Sequence, residues 1–206
     1  MNNNLLKKLA VFSIIGGIFA IMATFGFGYQ YLLGHDTMGV AVTVGLINIF
    51  SMILVLIGMI AVFLYSYHIK ASLNLFISFI VLFIGTILEI GAAWTVTFVS
   101  PMLNVHAVEL SSTWPSPSGE GLMISLLLFI IGWIYFGISL AKVKVLPVIP
   151  SVLVAVSLLL DFAPLGIISN FGSIFWAIAI IWLSTTVFKK TNTEVVLGND
   201  ANKPNS

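Results

Sequence analysis

Long uncharged stretches alternate with short polar ones along the whole chain. Six apolar runs, at 9–32, 39–65, 74–100, 121–141, 146–163 and 168–188, are long enough, or nearly so, to cross a hydrocarbon core of about 30 Å, which takes about 20 helical residues. None of them alternates polar and apolar positions at period two, which excludes a membrane β-barrel. Backbone in lipid must satisfy its own hydrogen bonds, so each run is predicted to be an α-helix. The run that follows Lys7 and Lys8 is longer than the apolar core of a signal peptide and offers no small-x-small cleavage site, so it is expected to be a retained first span. The expected fold is an all-α polytopic bundle of six transmembrane helices forming a single domain over 1–190. Residues 191–206, rich in Asn, Thr and Gly, are expected to form a solvated, disordered tail.

The connections carry the orientation. Lys7 and Lys8, Lys70, Lys142 and Lys144, and Lys189 and Lys190 fall on one side of the predicted membrane, while Asp36, Glu109, Glu120 and Asp161 fall on the other or at its margin. Basic residues stay on the cytoplasmic side, so both termini are expected there, in the inner or plasma membrane of a bacterium or archaeon. The links at 34–39, 66–74 and 142–147 are short, which makes consecutive spans antiparallel neighbours. Pro147 and Pro150 suit the first turn of the fifth helix. The one sizeable loop, 101–120, is on the outer side, and its segment 102–110 has the character of a short interfacial helix.

Composition narrows the function classes. Charged residues make up 7% and hydrophobic residues 60% of 206, against about 25% charged in soluble domains. The net charge is +1 with no arginine, so the clustered cations that grip nucleic acid are missing and no nucleic-acid partner is expected. With no cysteine, disulfide and thiol chemistry are excluded. No phosphate-binding Gly-rich loop ending in Lys-Ser/Thr, no Gly-x-Ser-x-Gly elbow and no His-Glu-x-x-His helix occurs, and no span contains a histidine to ligate haem. Neither an enzymatic activity nor a cofactor is expected.

Small residues mark packing faces. Gly16, Ala20, Thr24 and Gly28 recur every four residues along the first span, forming a ridge that another backbone can approach closely, either within the bundle or from a partner membrane protein. Gly45, Asn48, Ser51 and Gly58 in the second span, and Gly132, Gly137 and Ser139 in the fourth, read as similar inward stripes.

Glu89 is the sharpest chemical signal. It lies about 18 Å along the third helix from Pro101, near mid-membrane, and its own face of Gly85, Thr86, Ala93 and Val96 is mostly small. No Lys, Arg or His within a span can neutralise it. An ionised carboxyl without a cationic partner is costly there, so Glu89 is expected either to keep its proton or to hold a cation or an amine. Two readings follow. Glu89 is helix glue, hydrogen-bonded to Asn48, Thr86 or a backbone carbonyl, or it is the central contact of a ligand or ion site. Asn48, Asp161 and Asn170 all fall at mid-membrane or in the outer half, and a pocket open to the outside is the economical way to house them with Glu89. Asp161 and Asn170 alone would also serve as outer cap or turn residues. His35, Asp36, His106 and Glu109 come from unrelated stretches with no ligand spacing, and no metal site is expected from them.

Gly132-Trp-Ile-Tyr-Phe-Gly-Ile138, followed by Lys144-Val-Leu-Pro147 and an apolar fifth span, resembles small six-span membrane proteins of bacteria and archaea that have no established activity. The third span, from Phe83-Ile-Gly85 to Phe98-Val-Ser-Pro101, looks like theirs. The resemblance covers the central and C-terminal two thirds of the chain and implies the architecture alone. The size, six spans and small first-helix stripe are also similar to the substrate-binding membrane subunits of energy-coupling-factor transporters. The expected role is therefore a non-enzymatic protein holding a small molecule, lipid or ion in an outward-facing intramembrane pocket, as a transporter or transporter subunit. The alternative is an accessory or assembly subunit of a larger membrane complex, with Glu89 as structural glue.

Overall fold

The computed structural model describes residues 3–33, 38–106, 118–160 and 171–201. Each apolar run is helical: α1 spans Asn3–Leu33, α2 Met38–Ile69, α3 Leu73–His106, α4 Ser118–Val143, α5 Val148–Leu160 and α6 Phe171–Ala201. Among the described residues there is no strand. Five of the helices are long and apolar enough to cross a membrane, and α5 is a shorter apolar helix. The chain is a multi-pass helical membrane protein. At 13 residues, the described part of α5 reaches only about 20 Å, and the end of the fifth predicted span at 161–163 lies outside the described residues.

Several helices overrun the apolar runs that predict them, because hydropathy marks the hydrocarbon segment while hydrogen bonding continues into the interface. α1 starts before Lys7, α2 continues through Tyr67 and His68, and α6 runs past Lys189 and Lys190 to Ala201. α3 is the instructive case. Pro101, read from sequence as the start of a loop, sits inside the helix, which continues to His106. Proline costs the turn before it one amide donor, but it does not end a helix whose neighbours hold it in place.

The helices close a ring in chain order. α1 packs on α2, α2 on α3, α3 on α4, α4 on α5, α5 on α6, and α6 returns to α1, while α2 also touches α6 across the interior. The outward faces are apolar: Ile18, Met22 and Phe25 on α1, Ile80, Ile84 and Ile87 on α3, and Met123, Leu127 and Ile131 on α4 are all exposed. Lipid is as apolar as these side chains, so association rests on close packing and interhelical hydrogen bonds. A Cβ on Gly132 would lie 2.6 Å from the Leu82 Cα, and one on Gly137 2.6 Å from the Ser151 carbonyl oxygen. Ser51 on α2 donates to the Gly16 carbonyl on α1 at 2.9 Å, and the Ser13 and Ser184 hydroxyls bond α1 to α6.

The two halves of the bundle differ. The half bearing the lysines is densely filled, with Leu6, Met59, Leu75, Phe136, Leu140 and Leu183 fully buried. Phe63 stacks on Phe79 at 4.2 Å between α2 and α3. At this end α4 terminates with Lys144 in the left-handed region, at φ 58°, its amide returning to the Leu140 carbonyl. Lys190 then donates to the Val145 carbonyl at 2.8 Å, tying the end of α6 to the α4–α5 turn. The opposite half is hollow.

Candidate functional site

Two adjoining cavities occupy the half of the bundle away from the lysines. The larger, of about 390 Å³, lies between α2, α3 and α4 and is lined by Gly45, Asn48, Glu89, Ala93, Val96 and Thr97, among others. The smaller, of about 240 Å³, reaches toward α1, α5 and α6 and includes Thr24, Met52, Phe129, Leu158, Ser173 and Trp176. Phe27, Asn48, Glu89 and Leu126 line both, so the carboxyl and the carboxamide stand where the two spaces meet.

Local helix geometry explains the convergence. Glu89 is midway along α3, and Ala93, Val96 and Thr97 follow at the three- and four-residue spacings that keep one face in register. The small side chains on that face leave the space that the cavity occupies. The other flank of the face is spent on packing, since a Cβ at Gly85 would lie 2.5 Å from the Leu128 carbonyl oxygen on α4. On α2, Gly45 takes Thr97 against its backbone, which brings the Asn48 face onto the Glu89 face.

Several buried hydroxyls in the bundle are satisfied by carbonyls one turn back: Ser125 bonds to the Gly121 carbonyl, Ser151 to that of Pro147 and Thr191 to that of Val187. Glu89 differs. Its Oε2 is buried with no hydrogen-bond partner among the described residues, and so is the Thr86 hydroxyl one turn away. The Asn48 amide instead reaches the Met52 sulfur at 4.0 Å, a weak contact. Among the described residues, neither Asn48 nor Thr86 bonds to Glu89. No Lys, Arg or His among the described residues lines either cavity. Among the described residues no group of three or more His, Cys, Asp or Glu gathers into a metal cage.

The floor of the smaller cavity is aromatic. Trp133 and Trp176 meet edge to face at 4.9 Å, with Phe129 packed edge-on against Trp133. Trp176 is itself buried, and the indole N–H groups of both tryptophans have no partner among the described residues. This floor divides the hollow half of the molecule from the filled one.

The first-helix stripe turns inward over most of its length. A Cβ at Gly16 would lie 2.7 Å from the Val55 amide nitrogen on α2, Ala20 is buried, and both Ala20 and Thr24 line the smaller cavity. Among the described residues, nothing lies within 4 Å of the position of a Cβ on Gly28. Asp161 and Asn170 lie outside the described residues, as do the side chains of His35, Asp36, His106 and Glu109. Sequence reasoning did not single out Thr97, Phe27, Ser173 or Trp176 for the site. Thr97 carries a readable signal, being eight residues and so two turns beyond Glu89, whereas nothing in α1 or α6 marks Phe27 or Trp176 as facing it.

A comparison with known protein families, with curated proteins and with solved structures finds no match to this chain.

Proposed function

We propose that the protein holds a small molecule, lipid or ion in the paired cavities around Glu89, without catalysing its conversion, as a transporter or the substrate-binding subunit of one. The observation that carries this reading is the junction of two cavities at a half-buried carboxyl whose buried Oε2 has no partner among the described residues. A fold held together by packing gains nothing from a carboxyl group that its neighbours leave unpaired on a cavity wall, so a ligand is its natural counterpart. The lysines gather at the opposite, filled end, which under the positive-inside rule turns the hollow half outward from the cytoplasm of a bacterial or archaeal cell.

An accessory subunit that docks through α1 has less to stand on. Gly16 is in contact with α2, and Ala20 and Thr24 face the smaller cavity rather than a partner chain.

The test is to purify the wild type and Glu89→Gln from membranes and identify retained small molecules and partner chains by mass spectrometry. The expected result is a molecule held by the wild type and lost from the variant. Identical small-molecule profiles would count against a recognition role for Glu89.

A further inference from the structure

We infer that the ligand is a lipophilic ammonium, an amine nitrogen on an apolar body, which reaches Glu89 from the bilayer through a groove between α3 and α4. The inference rests on the binding role proposed above for these cavities.

Charge selects the head group. Among the described residues, Glu89 is the single charged side chain lining the cavities, and no cation stands beside it. A carboxylate removed from water is stabilised chiefly by an opposite charge at hydrogen-bonding distance, and a protonated amine supplies both the charge and the N–H donor. A carboxylate or phosphate ligand would meet Glu89 with nothing to neutralise either group. A hard divalent ion takes six or more oxygen ligands, and the described lining offers one carboxylate and the Asn48 carboxamide beside the Thr24, Thr97 and Ser173 hydroxyls.

The walls select the rest. Phe129 and Trp176 border the same space as Glu89, and aromatic faces attract a desolvated cation. Ala93, Val96 and Leu126 leave the remaining wall apolar, and about 390 Å³ is within the range of pockets for small organic molecules.

The groove supplies the route. On the outer surface between α3 and α4 a depression of about 470 Å³ is bordered by Leu88, Gly91, Gly121 and Ile124, and it shares Ala92 and Leu122 with the larger cavity. Leu88 and Ile124 are exposed among the lipid-facing side chains. Among the described residues, nothing lies within 4 Å of the position of a Cβ on Gly91 or Gly121. A methyl group and one leucine side chain thus form the wall common to groove and cavity, and rotation of Leu122 connects them.

The full chain in phosphatidylcholine nanodiscs is titrated with a series of radiolabelled phenylalkyl dimethylamines, with their uncharged carbon isosteres and with the matching phenylalkyl carboxylates, against empty nanodiscs. We expect saturable binding of an amine, at least about tenfold weaker binding of its isostere, no binding of the carboxylate, and a loss of about tenfold or more in Glu89→Gln. Isostere or carboxylate binding as tight as the amine, equal amine binding in Glu89→Gln, or no saturable binding by any amine would overturn the inference. The ligand series on the wild type decides the question even where the variant fails to fold. Exchanging phosphatidylcholine for phosphatidylethanolamine is expected to leave the amine affinity unchanged, and displacement by that lipid would overturn the exclusion of a phosphate-bearing head. Gly91→Trp and Gly121→Trp are expected to slow amine association about tenfold while holding the affinity within about twofold, and unchanged association would overturn the route. If amines fail but the wild type retains a neutral or anionic molecule that Glu89→Gln loses, the ligand class is wrong and the binding role stands. If nothing binds and nothing is retained, both fall.

Discussion

Replacing Gly16 by alanine tests the packing account at one atom. The added methyl carbon would lie 2.7 Å from the Val55 amide nitrogen and 2.9 Å from the Ser51 carbonyl oxygen. Both are backbone atoms, so no side chain can swing away. Ordinary contact begins at 3.4 Å, and α1 and α2 must part by about 0.7 Å to relieve the closer approach. Overpacking of this kind costs about 1–3 kcal/mol. The separation also stretches the Ser51-to-Gly16 hydrogen bond, for which interhelical bonds in membranes suggest about 0.6 kcal/mol. Alanine's better helix propensity returns up to about 1 kcal/mol, leaving a net loss of about 1–3 kcal/mol. Gly28, on the same stripe, meets no described residue, so Gly28→Ala keeps the propensity gain without the clash and is expected to be neutral or slightly stabilising. Unfolding by dodecyl sulfate titration in mixed micelles, followed by circular dichroism, compares the two. A Gly16→Ala protein as stable as the wild type, or a Gly28→Ala protein equally weakened, would refute the inward placement of the stripe.

Two further outcomes follow from the lysine end. Lys144 occupies a left-handed conformation that costs a side-chain-bearing residue about 1–2 kcal/mol, so Lys144→Gly is expected to raise stability by about 1 kcal/mol in the same titration. The chain has no cysteine, so Ala71→Cys and Ser111→Cys report topology cleanly. An impermeant maleimide on intact cells is expected to label Ser111→Cys, and to label Ala71→Cys only after permeabilisation.

Element identity was legible in the sequence because a lipid-exposed backbone leaves helix as the single solution for a long apolar run. The ends were less so, as Pro101 shows: a residue that disfavours helix marks a boundary from sequence, yet α3 carries through it to His106. Which face of each helix turns inward was harder still. Ile84 and Ile87 face outward while Leu82 is fully buried, and all three are equally apolar, so hydrophobic periodicity separates core from lipid poorly. Small residues did better, marking Gly16, Gly45, Gly58 and Gly132 as close approaches, but they did not say which helix each would meet. Glu89 stood out because a mid-span charge is rare, and its place beside Asn48 on the same cavity walls matches their similar depth in the spans. The aromatic floor of Phe129, Trp133 and Trp176 depends on α4 facing α6, a tertiary fact that no local pattern encodes.

The central claim is that the Glu89 carboxyl stands on an accessible, ligand-holding cavity. Labelling with a lipid-soluble carbodiimide, read by mass spectrometry of the intact and digested protein, tests it most directly. The account predicts an adduct on Glu89, absent from Glu89→Gln and suppressed when the protein is first incubated with a small-molecule extract of the host cells. A Glu89 that stays unmodified while exposed carboxyls react, or one whose labelling is indifferent to the extract, would contradict it.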